Sequence, residues 1–73
     1  MGNEIKIANN LRQVRRAKSN YTQQELADIV DCTRQTIIAL EQNKYNPSLA
    51  LALKISRVLG AKVEEIFFLS DVE

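Results

Sequence analysis

Apolar positions recur at helical spacing along most of the chain and divide it into five short amphipathic segments. Ile7, Leu11 and Val14 stand at i, i+4 and i+7, which predicts a first helix over about residues 5–18 with that stripe buried. The next segment announces its own start. Thr22 and Glu25 have capping-box spacing, and Tyr21 with Leu26 sits where a hydrophobic staple belongs, so a second helix should run from Gln23 to about Val30. Asp31 tolerates the left-handed turn that a helix end often needs. Thr33 is then the N-cap of a third helix reaching about Gln42.

Residues 43–48 form a loop containing Pro47, the single proline of the chain. A fourth helix follows, capped by Ser48, or by Asn46 with Pro47 in the first turn, and ended by Gly60. It carries two apolar stripes, one of Leu49, Ala52, Leu53, Ser56 and Leu59 and one of Leu51, Ile55 and Val58, which predicts burial on most sides. A fifth helix, about Val63 to Leu69, turns Val63, Ile66 and Phe67 inward and leaves Phe68 or Leu69 without a core position. Glycine is scarce and no β-branched alternation stands out. The expected fold class is therefore all-α, a compact five-helix domain spanning residues 1–73.

Composition narrows the class of function mainly by exclusion. One cysteine allows no internal disulfide, and the absence of histidine leaves no zinc-like ligand set, so no metal site is expected. No paired carboxylates in a plausible cleft and no glycine-rich phosphate loop suggest an enzyme, and no small-molecule ligand is evident. The apolar stretch from Leu49 to Leu59 is interrupted by Lys54 and Arg57, too short and too charged to span a membrane. No signal-peptide pattern opens the chain, and a reducing, cytoplasmic setting fits best. The net charge of +1 says little, but Arg12, Arg15, Arg16 and Lys18 form a basic run with no acid between them. Such runs are ordinarily solvated helix faces.

Within residues 22–41, two short helices meet at a tight turn. Ala27 is small where the helices cross closely, and Leu26, Val30, Cys32, Ile37 and Leu40 provide apolar contacts between them. The stretch TQQELADIVDCTRQTIIALEQNKYNPSLALALKISRVLG, followed by VEEIF, resembles the Xre/Cro-like (phage lambda-repressor-like) helix-turn-helix DNA-binding family over about residues 11–67. The resemblance implies double-stranded DNA as partner, bound without a cofactor, the third helix as recognition helix, and homodimers on two-fold symmetric operators. It further implies a small transcriptional repressor. Asp31 and Asn43 stand where the family usually has glycine, and Lys62 replaces the usual Ser or Thr cap of the fifth helix.

The resemblance also assigns roles along the motif. Gln23 falls on a position that holds a phosphate; Thr33, Asn43 and Lys44 are expected to grip phosphates at the two ends of the recognition helix, with Gln42 reaching the backbone. On the outward face, Arg34 suits guanine O6 and N7 or, equally, a phosphate, and Gln35 suits adenine N6 and N7 unless it is merely solvated. Thr36 and Ala39 are small enough to allow close approach. Ile38 is out of place among polar neighbours; a thymine methyl, an intermolecular contact and no role at all are its three readings.

The family often pairs an arginine of the first helix with the glutamate matching Glu41. Direct spacing would choose Arg16, whereas helical phase puts Arg15 beside the buried stripe and Arg16 opposite it. Arg15 is therefore the expected partner, with one extra residue in the turn around Ser19 and Asn20. Leu51, Ile55, Phe68 and Leu69 are apolar candidates for a dimer interface, the other reading being that they complete a small core. A competing reading keeps the fold as an antitoxin-like or assembly module that acts through a protein partner; it requires a disrupted outward face on the third helix, which Arg34, Gln35 and Lys44 argue against.

Overall fold

The computed structural model describes residues 4–72, and the side chains of residues 6–70 among them. In chain order it comprises β1 (Glu4–Asn9), α1 (Leu11–Lys18), α2 (Gln23–Val30), α3 (Arg34–Glu41), α4 (Leu49–Leu59), α5 (Val63–Ile66) and β2 (Phe67–Val72). Five helices are present as expected, but the fold is not purely α: β1 and β2 pair antiparallel, from Glu4↔Val72 to Asn9↔Phe67.

Two corrections explain the ribbon. Ile7 lies on β1 opposite Leu69 and is not part of the first helix, which starts only at Leu11. Its spacing to Leu11 mimicked a helical stripe, while the alternation Ile5-Lys6-Ile7 was too brief to stand out as a strand. Asn9 makes the break between the two, its Oδ1 accepting from Leu11 N at 3.0 Å. At the other end, α5 stops at Ile66 because Phe67 is extended (φ −117°, ψ 136°), so Phe68 and Leu69 belong to β2.

The helix ends follow the capping chemistry closely. Thr22 Oγ1 accepts from Glu25 N at 3.0 Å while Thr22 N donates to Glu25 Oε1 at 2.9 Å. Ser48, rather than Asn46, caps α4, accepting from Leu51 N at 3.1 Å. Lys62 offers no oxygen at the start of α5, and Glu65 compensates by accepting from Lys62 N at 2.8 Å. Asp31 (φ 64°) and Asn43 (φ 60°) adopt the left-handed conformation, as does Gly60. At Asn43 the closure is a Schellman motif: Lys44 N donates to Ala39 O at 2.8 Å and Asn43 N to Leu40 O at 2.9 Å.

Leu11, Leu26, Val30, Ile37, Leu40, Leu51, Ile55, Leu59 and Ile66 are buried together with Ala27 and Phe67, so every helix sends at least one residue into a shared core. On α4 the buried face is Leu51, Ala52, Ile55 and Leu59, whereas Leu49 and Leu53 are exposed. Leu51 and Ile55 are therefore core residues, which removes them as surface candidates for a dimer contact. The other stripe is split between core and surface, with Ala52 and Leu59 buried and Leu49 and Leu53 in solvent.

Candidate nucleic-acid interface

The mutual orientation of α2 and α3 is fixed from both sides. Inside, Leu26, Ala27 and Val30 of α2 meet Ile37 and Leu40 of α3 in the buried core, and Ala27 is small enough for the helices to cross closely. At the turn, Asp31 is left-handed, Cys32 N donates to Ala27 O at 2.9 Å, and Thr33 restarts the chain as N-cap by accepting from Thr36 N at 3.2 Å. Cys32 packs partly buried against the core; burial foremost, then the Asp31 carboxylate, push its thiol up, with Lys54 opposing them.

Outside the core, a polar junction ties three helices together. Arg15 Nε and Nη2 donate to Glu41 Oε2 and Oε1 at 2.7 and 3.2 Å, and Arg15 Nη1 donates to Tyr21 O at 2.9 Å. Gln23 Nε2 adds a bond to Glu41 Oε1 at 3.0 Å. Glu41 thus receives donors from α1 and α2 at the end of α3. Arg15 is the partner, not Arg16, and both side chains of the pair are nearly buried. Ser19 helps to set this phase, its N and Oγ both bonding Arg15 O as α1 ends.

This junction and the core leave one face of α3 outward. Arg34, Gln35 and Gln42 are exposed, and Thr36, Ile38 and Ala39 are half-buried. Ile37 and Leu40 point the other way and are fully buried, so the two adjacent isoleucines divide between core and surface. Ile38 is not among the side chains that pack on the core. Thr33 and Thr36 share a hydroxyl contact of 3.0 Å beside the start of the helix.

Past the end of α3, Asn43 and Lys44 are exposed. Asn43 Oδ1 accepts from Asn9 Nδ2 at 3.1 Å, and that same nitrogen donates to Leu40 O at 2.7 Å. The arrangement turns the acceptor of Asn43 inward and leaves its amide donors for solvent or a ligand. Arg34, Gln35, Gln42, Asn43 and Lys44 thus form a donor-rich surface flanked by the N-terminus of α2. Such a surface suits an anionic duplex whose grooves present both acceptors and donors.

Several contributors were not singled out from sequence. Asn9 had no visible signal, because its partners Leu40 and Asn43 lie 31 and 34 positions away. The bond from Gln23 to Glu41 likewise needed the fold. Lys6 shares a surface groove with Asn43 and Lys44, and Arg12 and Arg16 flank Gln23 and Glu41. For the two arginines the unbroken basic run was the available clue. Among the described residues, no cluster of side chains has a metal-ligating arrangement, and no helix is long and apolar enough to cross a membrane.

Comparison with known proteins agrees with this geometry. A helix-turn-helix family model matches residues 11–66. A protein of Archaeoglobus fulgidus described as an HTH-type transcriptional regulator is 57% identical over 58 residues, covering 80% of this chain and 82% of the relative. The HTH-type transcriptional regulator YgzD of Bacillus subtilis is 45% identical, covering 77% of this chain and 85% of its own. Control protein C.MunI of a Mycoplasma species is 37% identical and aligns over 97% of this chain and 96% of its own. With the matched region spanning all five helices and the motif held in the geometry described above, the chain belongs to the Xre/Cro-like helix-turn-helix family of DNA-binding transcriptional regulators.

Proposed function

We propose that the protein is a small repressor that acts as one DNA-binding domain per chain, two chains per two-fold symmetric operator, with α3 in the major groove. The observation that carries this reading is the division of α3 into a face fixed in the core by Ile37 and Leu40 and a face exposing Arg34 and Gln35. Arg34 reads guanine and Gln35 reads adenine, each good bidentate pair discriminating by about 1–3 kcal/mol. Ala39 permits close approach, and Ile38 packs on a thymine methyl. Gln23, Thr33, Thr36, Gln42, Asn43 and Lys44 hold the sugar-phosphate backbone. For Gln23 this leaves its backbone N–H and second amide hydrogen, since the first is spent on Glu41.

A single helix covers few base pairs, so useful specificity calls for two copies spaced by about one turn of DNA, ~34 Å. Phe68 and Leu69 of β2 are exposed apolar side chains available for that association, and Leu49 and Leu53 of α4 replace Leu51 and Ile55 as candidates. No cofactor takes part, and the site of action is the cytoplasm, on the nucleoid. Selection from a random duplex library tests the proposal. A palindromic site should be enriched, and its enrichment should vanish for Gln35→Ala. No enrichment at moderate salt would assign the fold to protein contact instead, as in the antitoxin-like reading.

A further inference from the structure

The basic run of α1 does not act as one unit. Arg15 is buried in its pair with Glu41, Lys18 lies toward Ser19, Asn20 and Tyr21, and Arg12 and Arg16 share a third side of the helix. These two are one helical turn apart, with Cβ atoms about 5–6 Å from each other. Both are exposed, and among the described side chains neither has a carboxylate within ion-pair distance. Together they form the wall between two adjoining surface clefts, one also lined by Asn9, Asn10 and Glu41, the other by Arg15, Thr22 and Gln23.

The second cleft opens at the first turn of α2. Gln23 and Gln24 are the first two residues of that helix, whose N–H groups have no intrahelical partner. Gln23 is also where the proposed DNA-binding face needs its phosphate contact, yet its amide already donates to Glu41. Glu41 in turn forms its ion pair with Arg15, and neither Arg12 nor Arg16 lies within ion-pair distance of it. What remains beside the helix start is two guanidinium groups with no carboxylate partner among the described side chains. Each offers a fork of donors that matches two phosphate oxygens.

We propose that Arg12 and Arg16 clamp the DNA phosphate backbone beside the N-terminus of α2, extending the footprint beyond the helix-turn-helix onto α1. The inference rests on the proposed DNA-binding role of the α3 face and adds positioning residues to it. Phosphate contacts set register and salt dependence but carry no base information. Each contact releases counterions and contributes about 0.9 to the slope of log affinity against log salt.

The test uses the full chain, the duplex enriched by selection, and fluorescence anisotropy at several salt concentrations. Arg12→Gln combined with Arg16→Gln should flatten the slope by about 1.8 and weaken binding to matched and mismatched duplexes alike. Lys18→Gln, from the same run, should leave the slope unchanged. Arg12→Lys with Arg16→Lys should restore most of it, which separates lost charge from a disturbed helix. An unchanged slope in the double glutamine variant, or a loss that the lysine variant fails to restore, overturns the clamp while leaving the α3 reading intact. A wild-type chain that enriches no duplex overturns both.

Discussion

Arg15 Nε donates to Glu41 Oε2 at 2.7 Å, joining the first helix to the last residue of α3 across 26 positions of sequence. Since both side chains are nearly buried, the pair is worth most to the fold as a pair. Removing one partner leaves an uncompensated buried charge, which costs about 3–5 kcal/mol. Glu41→Ala should therefore shift the urea midpoint far downward, and Arg15→Met combined with Glu41→Leu should recover much of the loss. Arg16→Ala should matter little by comparison. Equal effects of Glu41→Ala and Arg16→Ala would mean that the pair does not organise the three helices.

Base reading and backbone holding predict different signatures on the same surface. Gln35→Ala should relax the preference at one base pair per half-site, with a loss of about 1–3 kcal/mol on the selected duplex and little on mismatched ones. Lys44→Ala should weaken both classes of duplex by a similar factor. Competition binding against a panel of single-base variants distinguishes the two patterns.

For Ile38 the proposed contact is a single thymine methyl group. Replacing each operator thymine in turn by uracil should reduce binding at one position per half-site, and Ile38→Ser should abolish that sensitivity without altering the melting temperature strongly, since Ile38 is outside the core. Sensitivity that persists in the serine variant would exclude methyl packing.

The left-handed cap of α2 makes a prediction about backbone rather than contacts. Asp31 holds φ at 64°, a region that costs most residues with a Cβ roughly 1–2 kcal/mol and costs Asn or Asp less. Asp31→Ala should thus be clearly less stable than Asp31→Gly in thermal melts. If the alanine variant matched the glycine variant, the turn would have an easy alternative to this conformation.

Cys32 offers a chemical probe of the same turn. Burial and the Asp31 carboxylate raise its pKa, so the neutral thiol persists to higher pH than a free cysteine and the reactive thiolate is scarce at neutral pH. Alkylation by iodoacetamide should be slow at pH 7 and accelerate only in the alkaline range. Asp31→Asn removes an effect that raises the pKa and should speed the reaction; Lys54→Ala removes one that lowers it and should slow the reaction. Rates that ignore both charges would point to access alone as the control.

Where sequence and fold agree, the determinants are local. The Thr22–Glu25 box, the Thr33 and Ser48 caps and the positive φ at Asp31 and Asn43 all arise from residues within a turn of one another. The choice of Arg15 over Arg16 was also legible, because helical phase is a local property even when the partner is distant. What escaped was non-local. Ile7 finds its strand only through Leu69, and Asn9 finds its acceptors only at Leu40 and Asn43. The two stripes of α4 looked alike as patterns, and which of them enters the core depends on neighbours that periodicity does not name. The base reading proposed for Arg34 and Ile38 lies one step further off, since it depends on a duplex as well as on the fold.

The ribbon of β1 and β2 has a consequence for the order of assembly. Its ladder joins opposite ends of the described chain, whereas the contacts of α2 with α3 close over a few turns. Loop-closure entropy delays the former far more than the latter. During synthesis β1 emerges first but has nothing to pair with until β2 has left the ribosome. The reading head can therefore form before the strand that precedes it in the chain finds its place, and the ribbon fastens the domain last.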